Sequence, residues 1–507
     1  MNKLYTIIIG AMLFLGLPGC SKHFLDENSQ DEVKPATVTE LQELLMGSVY
    51  PAGQVHTSFQ AYLDLMTDDV TSNFNPDPGN QTLYNDYAAP FTWRSDMFEA
   101  MTTAGTPNDI DTYEHYFRRI MGCNAVLDLI DKVRGDDGDR ENVRGQALAM
   151  RGYFYFMLVN LFGQPYNAKG VDISKSPGVE IILSSTVKDD YPVRASVEKV
   201  YQQVEDDLLK ALPLIEQYGT NNNKFKVTDM FIYTLLSRMY LYMEKWDEAQ
   251  QYATKGLQRN PALVNLAGIP YPGAYSDPAT SVYSINSKEA IWFGYATVMS
   301  EYYYWNQIRQ YGPIPYCPSQ DLQSKYQFTR TNATNRGDLR MRYFYYWDYE
   351  DYDWTIYKPI YGARIDQSPS GTIKGMRVAE LYLNRAESYI QQYLKNGDES
   401  MRTAALADLN FLRSNRFDTR NVPYVNVDTS GQGLLDFCRD ERRRELAFED
   451  HRWFDLRRYG MPEIHHVFQM NASQTPTDYV LHQGDNRYVL PIPRSVLLKN
   501  PAMQPNP

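Results

Sequence analysis

Apolar residues return at three- and four-residue steps along much of the chain, the spacing of one helix face. The clearest run covers about 141 to 162, where Ala147, Met150, Phe154, Leu158 and Leu161 keep one register until Gly163 and Pro165 stop it. The same spacing predicts helices over about 113 to 133 and 196 to 218, the second with Val200, Val204, Leu208 and Leu212 on one side. An earlier helix starts near Thr39 and carries Leu41, Leu44 and Leu45.

Two helical pairs follow. Residues 228 to 244 and 247 to 258 have tetratricopeptide spacing, with Tyr233, Leu236, Ser237, Tyr240, Ala249 and Pro261 in place. Small side chains at Ser237 and Ala249 let two helices approach, and Tyr233 and Tyr240 fill the space beside them. Ala253 and Gly256 depart from the pattern, which usually has a bulky ring and an alanine there. A second pair, 376 to 394 and 401 to 416, repeats the theme around Tyr382, Ala386 and Tyr389 with a longer turn. The pattern also predicts one long charged helix over about 433 to 458 and an extended run from 488 to 493.

Periodicity lapses in two places. Residues 68 to 112 hold Asn73, Asn75, Pro76, Pro78, Gly79, Asn80 and Pro90, which form turns and loops. Residues of about 265 to 370 are broken by Pro270, Pro272, Pro278, Pro313, Pro315 and Pro318, yet are dense in rings: Tyr302 to Trp305, then many of 343 to 357. Long irregular segments inside a packed protein usually carry function. The expected fold is mostly α, with helical pairs scaffolding this loop-rich insert.

Composition narrows the partners. A net charge of -12 disfavours nucleic acid. Tyr (41) outnumbers Phe (21), which suits half-wet surfaces as well as cores. At the amino terminus Lys3 precedes an apolar run from Ile7 to Leu15, too short to span a bilayer comfortably, and Leu17-Pro18-Gly19-Cys20 follows. That order resembles a bacterial lipobox. It implies a signal peptide over 1–19, acyl chains on Cys20, a polar tether over 20–37 and one domain over 38–507. Cys123, Cys317 and Cys438 are too scattered for a disulfide framework or zinc site and read as buried free thiols.

No catalytic constellation stands out. Glu441 and Glu445 alternate with Arg442, Arg444, Arg452 and Arg457 at helical spacing, which suits salt bridges to neighbouring helices better than acid/base catalysis. His465 and His466 are adjacent, so they point different ways and do not share a metal. Asp68, Asp69, Asn73 and Asp77 lack EF-hand spacing and read as a solvated loop. No cofactor or metal is called for. The aromatic loops are the candidates. A sugar packs its C–H face on a flat ring and needs a few placed polar partners. Phe91, Trp93 and Arg94 form one such cluster. Tyr303, Tyr304, Trp305 and Asn306 form a second, with Tyr275 as a further candidate.

Several landmarks then coincide. Phe24-Leu25-Asp26 follows the lipobox. Arg151-Gly152-Tyr153-Phe154-Tyr155-Phe156 leads to Phe162-Gly163-Gln164-Pro165-Tyr166. Arg377 to Glu387 and Glu441 to Arg458 form two further blocks, and Leu490-Pro491-Ile492-Pro493 lies near the tail. Together and in this order they resemble the SusD/RagB family of surface lipoproteins. The resemblance implies a helical SusD-like fold on the outer face of the outer membrane. It implies a lid role over a SusC-like TonB-dependent transporter, and a glycan ligand or, in RagB-like members, a peptide. The aromatic candidates fall in the broad regions where glycan-binding members carry their platform. A surface hydrolase and a purely structural tetratricopeptide adaptor are the competing readings.

Overall fold

The computed structural model describes residues 34–51, 60–74, 78–105, 111–187, 191–220, 223–269, 282, 286–297, 315–329, 332, 334–344, 347–349, 357–359 and 372–506. Its helices are α1 (Val38–Leu44), α2 (Pro78–Asp86), α3 (Ala88–Phe91), α4 (Met97–Ala104), α5 (Thr112–Leu129), α6 (Asp137–Phe162), α7 (Val197–Tyr218), α8 (Asp229–Tyr242), α9 (Trp246–Arg259), α10 (Gln320–Ser324), α11 (Arg340–Tyr343), α12 (Val378–Asn396), α13 (Glu399–Ser414), α14 (Gly431–Leu446), α15 (Arg452–Arg458) and α16 (Arg494–Lys499). Eight short strands pair into four antiparallel ribbons: β1 (Val70–Ser72) with β3 (Tyr316–Pro318), β2 (Ala290–Thr297) with β6 (Thr372–Arg377), β4 (Trp347–Tyr349) with β5 (Tyr357–Pro359), and β7 (Ile464–Phe468) with β8 (Thr477–Leu481).

Helix α6 is the spine. Its side chains are buried on every face from Gly145 to Phe162, as expected of a helix surrounded by others. Asp136 caps its start by accepting from the Gly138 and Asp139 amides. Helix α7 lies close because α6 offers glycine where the two meet. A Cβ on Gly152 would stand 3.2 Å from Leu208 Cγ, and one on Gly145 would stand 3.0 Å from Ile215 Cδ1.

The pairs α8–α9 and α12–α13 pack as the spacing predicts. Ser237 Oγ donates to the Ala249 carbonyl at 3.0 Å, so the small residue both admits the second helix and ties it. Gly256 has its own reason: a Cβ there would meet Leu381 Cδ1 at 2.7 Å, so glycine is what lets α9 approach α12. Buried residues from Val38 to Met503 form one continuous cluster.

Three expectations are corrected. Residues 68 to 112 are not merely loop, since α2, α3 and α4 fall there. The charged helix is two helices, α14 and α15. Between them Phe448 (φ 60°) and Asp450 (φ 62°) adopt the left-handed conformation, at roughly 1–3 kcal/mol each. The turn re-aims the chain so that Glu449 reaches Arg377 and Asp450 accepts from Gln60 Nε2. The tail run begins with Tyr488 in a 3₁₀ turn, Asn486–Tyr488, and the chain is extended only from Val489, touching α6 through Leu490 N–H donating to Leu161 O.

Candidate binding site

Phe91 and Trp93 face the core, which overturns their reading as a ligand platform. His466 lies between them, with its ring 4.1 Å from Phe91 and 4.3 Å from Trp93, both stacked. Its Nδ1 is 2.7 Å from the Phe91 carbonyl and its Nε2 is 3.0 Å from that of Thr67. Trp93 Nε1 donates to the Met66 carbonyl at 2.9 Å. A ligand reaches neither ring. Arg94 is exposed, but its guanidinium already grips the Asp96 carboxylate through two bonds of 2.8 and 2.6 Å. Tyr275, Tyr303, Tyr304, Trp305, Asn306 and the acylation candidate Cys20 lie outside the described residues.

Beneath ribbon β2–β6 sits the arrangement that the sequence only half disclosed. Arg340, Arg377, Arg413, Arg416 and Arg444 interleave with Glu289, Asp338, Glu441, Glu445 and Glu449, five charges of each sign, all buried. Glu445 is the hub. It accepts from Arg340 Nη1 at 3.0 Å, Arg377 Nη1 at 2.9 Å and Arg416 Nη2 at 2.9 Å. Burial alone would raise its pKa, but the guanidiniums of Arg416, Arg377 and Arg340 hold it down to about 2. Burial likewise opposes ionisation of Glu441, and Arg340, Arg413 and Arg444 hold it well below the ordinary carboxylate range. These carboxylates are fixed anions in ion pairs, not a separated acid and base.

The same logic corrects the acidic loop. Asp69 is buried and Asp68 half-buried, and both are held by arginines. Arg452 grips Asp68 at 2.7 and 2.8 Å, and Arg443 Nε donates to Asp69 at 2.6 Å. Against partial burial, Arg452 and Arg443 keep Asp68 down to about 2. No group of three or more metal-ligating side chains among the described residues is gathered round one point. Cys123, Cys317 and Cys438 are free and buried, as expected.

Two hollows differ in what they could accept. One, between Tyr153, Arg238, Trp292, Glu449 and Asp450, has about 20 Å³ for solvent centres, room for a water but not a sugar ring. The other is an open hollow of about 490 Å³ beside Phe411 on α13. Two of its polar groups are already engaged: Asn410 Nδ2 donates to the Val427 carbonyl at 2.9 Å, and Asp428 pairs with Arg402.

These features define a helical scaffold with a charge-locked interior and a ring-rich insert carried between β2 and β6. The comparisons with known proteins agree. Residues 243–507 match the profile described as the SusD family, and residues 23–241 match one described as starch-binding and associating with the outer membrane. The chain belongs to the SusD family. It is similar in fold to a putative sugar binding protein from Bacteroides vulgatus ATCC 8482, with TM-score 0.67 and 21% identity over 94% of this chain and 99% of that one. It is also similar to a SusD superfamily protein from Bacteroides thetaiotaomicron VPI-5482, with TM-score 0.66 and 21% identity over 93% of this chain and 100% of that one. A SusD-like carbohydrate binding protein from Bacteroides vulgatus ATCC 8482 matches with TM-score 0.64 and 21% identity over 92% of this chain and 98% of that one. The search of curated proteins finds no match.

Proposed function

We propose that this chain binds a glycan at the cell surface and delivers it to a SusC-like TonB-dependent transporter, held to the outer membrane by acyl chains on Cys20. The observation that carries the reading is membership of the SusD family across nearly the whole chain, joined to a Tyr- and Trp-rich insert. Flat rings offer the apolar faces that sugar C–H groups cover, and neighbours such as Asn306 offer directional hydrogen bonds. The candidates are Tyr275, Tyr303, Tyr304, Trp305 and Asn306. The lipobox-like Leu17-Pro18-Gly19-Cys20 supports the anchor. No described helix is long and apolar enough to cross a membrane. Binding, not hydrolysis, suits a protein whose central carboxylates are committed to arginines.

Retention of the chain in gels that contain soluble polysaccharides, set against retention by immobilised peptides, tests the ligand class. Retardation by at least one polysaccharide and by no peptide is expected. Retention by peptides alone would transfer the reading to a RagB-like peptide binder, and release of shortened glycans would make the protein a hydrolase.

A further inference from the structure

His465 and His466 are neighbours on β7, and the strand turns them to opposite sides. His466 points inward, between Phe91 and Trp93. His465 is exposed on the outer side, and both of its ring nitrogens meet a carboxylate. Nδ1 is 2.9 Å from Asp478 Oδ2, across the ribbon on β8, and Nε2 is 3.1 Å from Glu463 Oε1, just before β7. The other oxygen of Glu463 is 3.0 Å from Nδ1 of His482, just after β8. Asp478, His465, Glu463 and His482 thus form one unbroken row along the outer side of the ribbon.

This geometry demands a protonation state. An ionised carboxylate only accepts, and a neutral imidazole has one N–H. His465 therefore donates to Asp478 and Glu463 together only as an imidazolium. As a neutral ring it would turn a lone pair toward one of the two carboxylates. His482 carries no such demand, since a single N–H on Nδ1 serves its one contact. The other charged groups around the ribbon leave His465 to its pair. Arg487 donates to the carbonyl of Val480, the residue opposite His465, but its guanidinium is taken up by Asp485. Strand β1, packed beside β7, brings Val70, Thr71 and Ser72, none of them ionisable. On the inner side Tyr479 lies opposite His466, and Asp68 is held by Arg452 and Arg443. The hydrogen bonds to Asp478 and then to Glu463 raise the pKa of His465 above the ordinary 6.5.

We propose that ribbon β7–β8 is a pH-sensitive clasp, shut while His465 carries two protons and donates to Asp478 and Glu463 at once, and released on one side when it loses either proton. The hold is complete below the ordinary 6.5 and is lost as the pH rises through the higher folded value. His466 works in the opposite sense, because a proton gained there disturbs the inner face against Phe91 and Trp93. The ribbon therefore loosens at both ends of the pH range, through different neighbours. The clasp is independent of the glycan reading, and either can fail without the other.

The test is nitrogen-15 magnetic resonance of the full chain labelled at histidine. Seven histidines contribute, and the signal lost in His465→Asn identifies the one that matters. Its titration midpoint is expected above 6.5, lowered in Glu463→Gln and in Asp478→Asn, and lowest in the double variant. Amide hydrogen exchange over residues 463–482, wild type against the double variant at equal pH, reads the clasp itself. Exchange in the variant should be about two- to fivefold faster at pH 6, the worth of an exposed ion pair, and the gap should narrow toward pH 9. A His465 midpoint at or below 6.5 overturns the proposal. So does a midpoint that neither carboxylate variant lowers, and so does an exchange gap that is absent at pH 6 or the same at pH 6 and pH 9.

Discussion

Glu445→Gln removes one negative charge from the hub of the buried network and changes little else in shape. In the native protein this carboxylate faces Arg340, Arg377 and Arg416, each within 3.0 Å of one of its oxygens. The amide can still accept from some of them, but the network then holds five guanidiniums against four carboxylates. Breaking a buried ion pair by removing one partner costs about 3–5 kcal/mol, because the remaining charge is left uncompensated away from water. A linkage argument gives the same direction: the guanidiniums of Arg416, Arg377 and Arg340 outweigh burial and hold the folded Glu445 well below its ordinary 4.5. The sign follows from the depressed folded value. The contribution is fully present above about pH 4.5 and is lost as the pH falls toward 2. Against a typical stability of about 5–15 kcal/mol, this is a large fraction. Urea unfolding followed by circular dichroism measures it, with an unchanged slope and a lower midpoint expected. The control is Glu114→Gln, whose exposed partner Arg118 sits one turn along the same helix. If Glu445→Gln costs less than about 1 kcal/mol, the network is not a charge-balanced lock, and the reasoning fails.

Three further outcomes follow from the same structure. Burial outweighs the Phe91 and Thr67 carbonyls at its two ring nitrogens and pushes His466 down to about 4 from an ordinary 6.5, so the unfolded chain binds a proton that the fold refuses. Stability should fall by about 2 kcal/mol more between pH 7 and pH 5 in the wild type than in His466→Gln, and equal slopes would show that the ring is not buried neutral. Gly256→Ala should lower the thermal midpoint, although alanine is the better helix former, because its Cβ collides with Leu381 Cδ1; recovery in Gly256→Ala/Leu381→Ala checks the cause, and a rise in the single variant would contradict it. Cys123, Cys317 and Cys438 are buried, and burial raises the thiol pKa of each, to about 12 for Cys317. They should resist a thiol reagent until denaturant is added, and rapid labelling of the native chain would refute their placement.

Much of the helical frame could be read from the sequence, because one-sided apolar spacing is a local signal. Val200, Val204, Leu208 and Leu212 lie buried on α7, and Ser237 and Ala249 meet across α8 and α9. The network was half legible. Alternating charge on α14 pointed to salt bridges, but Arg377, Arg416 and Glu289 come from distant parts of the chain, and no local pattern pairs them with Glu445. The break at Phe448 and Asp450 has only a faint sequence signature, since Asp tolerates the left-handed region but Phe does not mark it. Phe91 and Trp93 misled because rings among prolines and asparagines look like a surface loop. Their cover arrives some 370 residues later, on β7. A period-two reading of Ile464, His466 and Phe468, the buried face of that strand, was the one clue that His466 points inward to meet them.

The most direct test of the account is isothermal titration of the chain and its Trp305→Ala variant with whichever soluble polysaccharide retards it in a gel. Saturable binding by the wild type and at least a tenfold weaker affinity in the variant, about 1.4 kcal/mol, is the expected result. Equal affinities in the two proteins, or no heat with any polysaccharide, would contradict a glycan held on the rings of the insert.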